Sequence, residues 1–242
     1  MDIHKPKPWH SFREFLKEYL IIVVGVLTAL AAEQGVAALH DHSLRNDARE
    51  AIRGELGENL DDFRRRDAIQ DCIDKRLVQV EALLVSAPLG EKLPRPLWIG
   101  RPQVWSVVDS RWAAATSGAR TALLSPDEQA GYAEVYSGMR AFDEAQRIEQ
   151  FAWARLRSLE TLPALDVDSR GRLVEALQDA RYANFRIRVA AVQTREQADA
   201  VGVKTRRSPY SEGSRSVCIP MDTRREDAMR LTTPGRTAIA EP

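Results

Sequence analysis

The sequence predicts an all-α protein: an N-terminal transmembrane helix that continues into a long helix, packed in a bundle of about four helices, with an irregular C-terminal tail. Three observations predict it. The stretch Tyr19–Ala32, YLIIVVGVLTALAA, is the one strongly apolar run in an otherwise charged chain. Elsewhere apolar residues recur at three- and four-residue steps, the period of an amphipathic helix. No segment alternates at two-residue period as a half-buried strand does, and a single proline-rich linker interrupts the helical texture. Helix packed on helix is the architecture such a pattern can build.

Residues 1–17 form a short head carrying Lys5, Lys7, Arg13 and Lys17. Pro6 and Pro8 place the start of the helix near Trp9 or His10, and Ser11 with Glu14 has the spacing of a capping box. Residues 18–39 are the anchor. Fourteen uncharged residues lie between Glu18 and Glu33, about 21 Å of helix, against a hydrocarbon core ~30 Å thick. The flanks supply the difference. Phe12, Phe15 and Leu16 precede the run and Gly35–Leu39 follow it, Lys17 can snorkel, and Trp9 and Tyr19 suit the interface. Glu33, the most unusual charge, then falls at the far interface. A cleaved signal peptide is one alternative, with a small-residue site at Ala29–Ala31. Against it, helix-compatible sequence runs unbroken past Glu33. A soluble core helix is the other, and the lack of any polar face argues for lipid instead. Gly25, Ala29 and Ala32 share roughly one face, so two spans could pack there into a homo-oligomer.

The segment Phe12–Gln34, FREFLKEYLIIVVGVLTALAAEQ, resembles the opening of a group of bacterial single-span membrane proteins that share an FREF…IIVxGVLxAL start. Over the remainder only the helical texture and the Trp, Ser-Gly and Cys-Ile-Pro landmarks are similar. The resemblance implies a membrane anchor and an α-helical domain of unknown function, and no active site. With it comes an expected place in the bacterial inner membrane, head cytoplasmic and C-terminal domain periplasmic. The Lys/Arg bias between the head and Arg45, Arg49 and Arg53 favours that orientation slightly.

Residues 40–202 are the expected bundle domain, enough chain to bury a core. Leu44, Ala48, Ile52, Leu56, Leu60 and Phe63 form one apolar series; Ile69, Ile73, Leu77, Val80 and Leu84 form the next. With no proline before Pro88, the two read as one rod joined to the anchor. Arg64–Arg66 and the adjacent Asp61 and Asp62 read as a solvated face. Four prolines between Ser86 and Gln103 make a loop or cover strand. Trp105 and Trp112, following Trp98 at seven-residue spacing, then fit a short helix at about Gln103–Ser117, ended by a left-handed Gly118. Ser125-Pro126-Asp127-Glu128 is a helix start with capping box and N-terminal proline. Its helix carries Tyr132, Val135, Met139, Phe142, Trp153, Leu156 and Leu159 to about Thr161. A last helix, about Ser169–Val201, would turn Leu173, Leu177, Ala180, Phe185, Val189 and Val192 inward, with Gly202 as its stop.

Residues 203–242 read as an extended, partly disordered tail. Val217-Cys218-Ile219 is its one apolar patch, and Cys72 lies beside the apolar face of Ile69–Ile73–Leu77. Two cysteines in an exported domain predict a disulfide between Cys72 and Cys218; two free thiols in a cytoplasmic domain is the alternative.

Chemical signatures are few. His40-Asp41-His42 has its imidazoles on different sides of a helix, and no HExxH or CxxC spacing occurs. The cysteines lack a neighbouring histidine, Asp71 and Asp74 sit on a charged helix, and GxSxG, P-loop and GxGxxG are all missing. No catalytic residue, cofactor or metal is expected. Lys plus Arg equals Asp plus Glu at 35 each, so no basic excess suggests nucleic acid. The expected partners are the bilayer, a second span and an unidentified protein. Three functions remain open: a non-enzymatic envelope scaffold, a sensory or small-ligand module, and an enzyme of unfamiliar site. Convergence of Arg111, Tyr132, Tyr136 or Tyr182 on a pocket would favour the second.

Overall fold

A computed structural model describes residues 12–95, 97–207 and 215–232. Six α-helices follow in order: α1 Phe12–Asp67, α2 Gln70–Ser86, α3 Ser110–Ser117, α4 Pro126–Leu156, α5 Val167–Ala200 and α6 Arg225–Thr232. Three short 3₁₀ turns, Arg120–Leu123, Arg157–Glu160 and Ser216–Cys218, complete the regular structure. Among the described residues there is no strand, only isolated bridges pairing Leu89 with Leu165 and Lys92 with Ala164. The expected all-α bundle is what forms. Trp9, His10 and Ser11 lie outside the described residues.

Helix α1 is 56 residues long, about 84 Å. Its first half stands clear of everything else, and burial begins at Ala48. From there Ile52, Leu56, Leu60 and Phe63 pack against Tyr132, Val135, Tyr136, Met139 and Phe142 of α4 and Ile187 and Ala191 of α5. A second cluster joins α2, through Ile73, Leu77, Val80 and Leu84, to Trp153, Leu156, Leu173 and Leu177.

The expected single rod is broken between Asp67 and Gln70. No proline or glycine causes the break; the apolar pattern does. Phe63 and Ile69 are six residues apart, so on one straight helix they would point about 120° apart. Ending α1 and restarting α2 lets both stripes face the core. At the break Ile69 donates its N–H to the carbonyl of Arg66.

Helices α4 and α5 form the most extensive pair. Gly131, Gly138, Ala145 and Ala152 recur every seven residues along α4 and bring the axes close. A Cβ at Gly131 would collide with Val201, and one at Gly138 with Thr194. The start of α4 is as expected: Ser125 accepts from the Glu128 N–H, Glu128 accepts from the Ser125 N–H, and Pro126 sits in the first turn. Asp166 and Ser169 cap α5 in the same reciprocal way. Gly202, at φ 70°, stops α5.

Four expectations are corrected. Helix α3 begins at Ser110, not near Gln103, so Trp105 lies in the extended segment before it. The left-handed residue after α3 is Ala119, at φ 55°, not Gly118. On α5, Leu173, Leu177 and Ala180 are buried as expected, but Phe185 and Val192 are exposed; beyond Ala180 the inward positions are Ala183, Asn184, Ile187, Ala191, Thr194 and Ala198. Small residues fill that seam because the close approach of α4 leaves no room for larger ones. The described parts of the tail, 203–207 and 215–232, are not merely extended: Val203 is buried, and the 3₁₀ turn and α6 bury Val217, Ile219 and Ala228, while the rest of that expectation lies outside the described residues.

Candidate functional site

Three places hold the residues of interest: the exposed half of α1, a set of buried polar groups, and the tail where it meets α2. The apolar half comes first. Helix α1 is long and apolar enough to cross a membrane, and none of its apolar stretch is buried. Leu20, Ile21, Ile22, Leu27 and Leu30 are all exposed. Gly25, Ala29 and Ala32 are exposed too, with nothing within 4 Å of a Cβ built on Gly25. Glu33 lies on the same uncovered helix.

The buried polar groups overturn the solvated-face reading of residues 61–66. Asp61, Arg65 and Arg66 are buried, and of the three arginines only Arg64 is exposed. The reason is pairing. The Arg66 guanidinium donates to both Glu149 carboxylate oxygens, at 2.9 and 2.6 Å, and to Asn184 Oδ1 at 2.9 Å. Asp61 accepts from Arg64 and Arg65. Burial pushes the Glu149 carboxyl up against the pull of Arg66. Asp62 is pushed up to about 6, chiefly by burial, with Arg65 opposing and Asp61 adding to the rise.

Glu55 is a third buried carboxylate. Its Oε1 accepts from the Tyr136 hydroxyl at 2.6 Å and the Trp112 N–H at 3.3 Å. Its Oε2 accepts from Ser110 Oγ and the Arg111 N–H. It thus caps α3, whose preceding Asp109 makes no capping bond; negative charge is favoured at a helix N-terminus. The same contact pushes the Tyr136 hydroxyl far up, after burial itself.

Side-chain amides hold the extended segment that crosses the bundle before α3. Asn59 exchanges two hydrogen bonds with the backbone of Val108, Gln146 does the same with Trp105, and Gln150 donates to the Pro102 carbonyl. These three amides stand in for a neighbouring strand and satisfy backbone groups that have no sheet partner. The signal in the sequence was an amide at apolar-stripe positions, Asn59 beside Leu56, Leu60 and Phe63.

At the tail, Cys72 in α2 and Cys218 in the 3₁₀ turn are joined by a disulfide, Cα to Cα 4.9 Å. Four residues on, the Arg76 guanidinium donates to the carbonyls of Trp98 and Ile99 and to that of Ile219. Trp98 closes the other side: its Nε1 donates to the Ser216 carbonyl and its N–H to that of Met221. Arg157 stacks over the Trp98 ring, 5.8 Å from its centroid.

The remaining candidates stay apart. Tyr132 and Tyr136 are buried and turned to Arg53 and Glu55, while Tyr182 and Arg111 are exposed, so the four do not converge on one pocket. His42 meets Asn46, and His40 and Asp41 are exposed. Asp74 accepts from Gln70 and Asn184. Among the described residues no group of three or more His, Cys, Asp or Glu could hold a metal ion. Comparison of the chain with protein-family models, with curated proteins and with solved structures finds no match.

Proposed function

We propose that the chain is a membrane-anchored helical domain that binds partner proteins in the bacterial envelope without catalysis. Residues 18–39 cross the inner membrane, the head is cytoplasmic, and the bundle lies in the periplasm. The observation that carries this reading is the continuity of α1: one helix runs from an uncovered apolar stretch into the core of the bundle with no loop between them. Residues 40–47 add about 12 Å of helix before the first buried side chain. A helical strut sets the height and direction of what it bears, which suits positioning a binding surface.

Two further observations support it. A disulfide persists in oxidising compartments and is rare in cytosolic proteins. The buried ionisable groups Glu55, Asp61, Arg66, Arg76 and Glu149 are each engaged by neighbouring side chains or by backbone. The surface where a partner would be sought is the outer side of α4 and α5, where Phe151, Tyr182, Phe185 and Val192 are exposed. Span self-association through Gly25, Ala29 and Ala32 would double that surface.

A photoreactive residue in place of Phe185, activated in intact cells, should yield a discrete adduct with another protein. If only uncrosslinked chain is recovered from Phe151, Tyr182 and Phe185 alike, partner binding by this face is lost. A reporter active only after export, fused to the C-terminus, should be active; activity from a cytoplasm-only reporter reverses the orientation. Gly25→Ile should weaken association of the isolated span, and an unchanged signal removes that face.

A further inference from the structure

We infer that the Cys72–Cys218 disulfide is an exchangeable clasp: reduction by an external dithiol frees residues 215–232 from α2 while the four long helices stay folded. The inference rests on the export reading only for where the clasp would operate.

Accessibility is the first argument. Both cysteines are half-buried and line a shallow cavity of about 510 Å³, together with Asp71, Lys75, Gln79 and Met221. A dithiol can therefore reach a sulfur without the bundle opening. Lys75 lies three residues from Cys72, on the same side of α2, and lines the cavity as well. The carboxylates of Asp71 and Asp222 line it too, so the cavity offers access to the sulfurs rather than a net charge that drives thiolate departure. The chemistry balances. One thiolate of the dithiol attacks a sulfur and the partner cysteine leaves. The second thiol then closes the reagent's own disulfide, so two electrons and two protons end on Cys72 and Cys218.

The second argument is how little else the tail holds onto. The bundle's apolar clusters are built mainly on α1, α2, α4 and α5, and of the described residues 215–232 only Val217 belongs to them, with Cys218 and Met221 at the margin. Its remaining buried apolar side chains, Ile219 and Ala228, form a separate small cluster with Trp98. Removing the tail therefore leaves the main core almost intact, and the bond between the sulfurs is what makes docking permanent.

The third argument is reversibility. Undocking leaves Trp98 Nε1, the Trp98 N–H and one arm of Arg76 without their tail carbonyls. Water can satisfy these groups, though less favourably than the docked geometry does. The site is thus shaped to take the same segment back once the sulfurs reoxidise.

The test is hydrogen exchange read by mass spectrometry on the purified, oxidised full chain in detergent micelles, before and after dithiothreitol. Amides of residues 215–232 should exchange at least roughly tenfold faster after reduction, while those of α4 and α5 keep their protection. Reoxidation should restore the first state. The double variant Cys72→Ser/Cys218→Ser should show the fast tail without reductant; should it misfold, reduction of the native chain decides alone. Unchanged tail protection, loss of protection in α4 and α5 as well, or a disulfide that resists dithiothreitol until the chain is denatured would each overturn the clasp. Because the protein is oxidised in vitro, its compartment does not enter. Alkylation of chain taken directly from membranes tests export separately: two reactive thiols would count against the periplasmic reading and leave this result standing.

Discussion

Along a single helix, the two halves of α1 reverse the usual relation between polarity and burial. Before residue 40, Leu20, Ile21, Ile22, Leu27 and Leu30 point outward with no protein against them. Beyond Ala48, Glu55, Asp61, Arg65 and Arg66 are buried beside Ile52, Leu56 and Phe63. The backbone is the same in both halves, so the difference lies in what surrounds it. Outward leucines are stable where the surroundings are themselves apolar, as lipid is. Inward charges are stable only where each finds a partner, because desolvation of an unpaired ion costs several kcal/mol. One half is built for a solvent, the other for specific neighbours.

The sharpest way to break this contrast is to remove one of those neighbours. Glu149→Ala leaves Arg66, at 1% exposure, with an uncompensated buried charge. The expected loss is about 3–5 kcal/mol, read as a large fall in melting temperature. The control is the pair Arg66→Met with Glu149→Leu, which should be neutral or stabilising within about 1–2 kcal/mol. Thermal melts in micelles by circular dichroism separate the two. A mild Glu149→Ala would mean that the burial at this crossing of α1, α4 and α5 is not real.

Next in size is a matched leucine in each half. Leu56→Ala opens a cavity among Tyr132, Val135 and Ile187 and should cost about 2–5 kcal/mol. Leu27→Ala touches nothing in the protein and should leave the bundle's melting unchanged within about 0.5 kcal/mol. Equal losses would show that the first half of α1 packs on protein in the native state.

These halves also differ in how much of them was legible in the sequence. The anchor announced itself as fourteen uncharged residues, since lipid contact requires composition rather than pattern. Apolar stripes on α1, α2 and α4 were equally readable, because a buried leucine needs only the right period. What failed was pairing at a distance. Glu149 and Asn184 lie 83 and 118 positions from Arg66, and three arginines in a row look the same whether water or a carboxylate receives them. Phe185 and Val192 misled for the converse reason: large apolar residues suggested an inward face, whereas the true seam is made of Ala183, Ala191 and Ala198. The heptad of Gly131, Gly138, Ala145 and Ala152 on α4 was the available clue to that close seam. Of the candidate site, the cysteines and the small face of the span were visible as residue types. The carbonyl cradle around Arg76 was not, since backbone acceptors leave no mark on a sequence.

A smaller effect sharpens the buried half through pH. Burial raises Asp62 from 3.8 to about 6, so the folded state binds this proton more tightly than the unfolded chain. Stability from this group therefore falls as pH rises from about 4 to 6 and stays reduced above that. Asp62→Asn should stabilise the bundle by about 1–2 kcal/mol at pH 7.5 and by almost nothing at pH 4. A pH-independent difference between variant and parent would assign the effect to something other than ionisation.

The smallest effect belongs to the pair that ties α1 to the start of α4, at the edge where burial begins. Arg49 donates to Glu128 through Nε at 2.7 Å and through a second nitrogen at 3.0 Å. That pairing holds the Glu128 carboxyl at about 2, below its ordinary 4.5, with burial opposing it and the Ser125 N–H adding to the fall. The folded value is depressed, so the stabilisation is present above pH 4.5 and is lost as pH falls towards 2. Both side chains are about a quarter exposed, at 29% and 24%, and solvent screening keeps the contribution near 1 kcal/mol or less. Glu128→Gln tests it cleanly, because glutamine can still reach back to the Ser125 N–H and preserve the capping box while the charge is removed. The variant should melt about 2–4 °C below the parent at pH 7, converge with it near pH 2, and lose part of the difference in 1 M salt. A gap that persists at pH 2 would mean that the cap, and not the ion pair, is what Glu128 supplies.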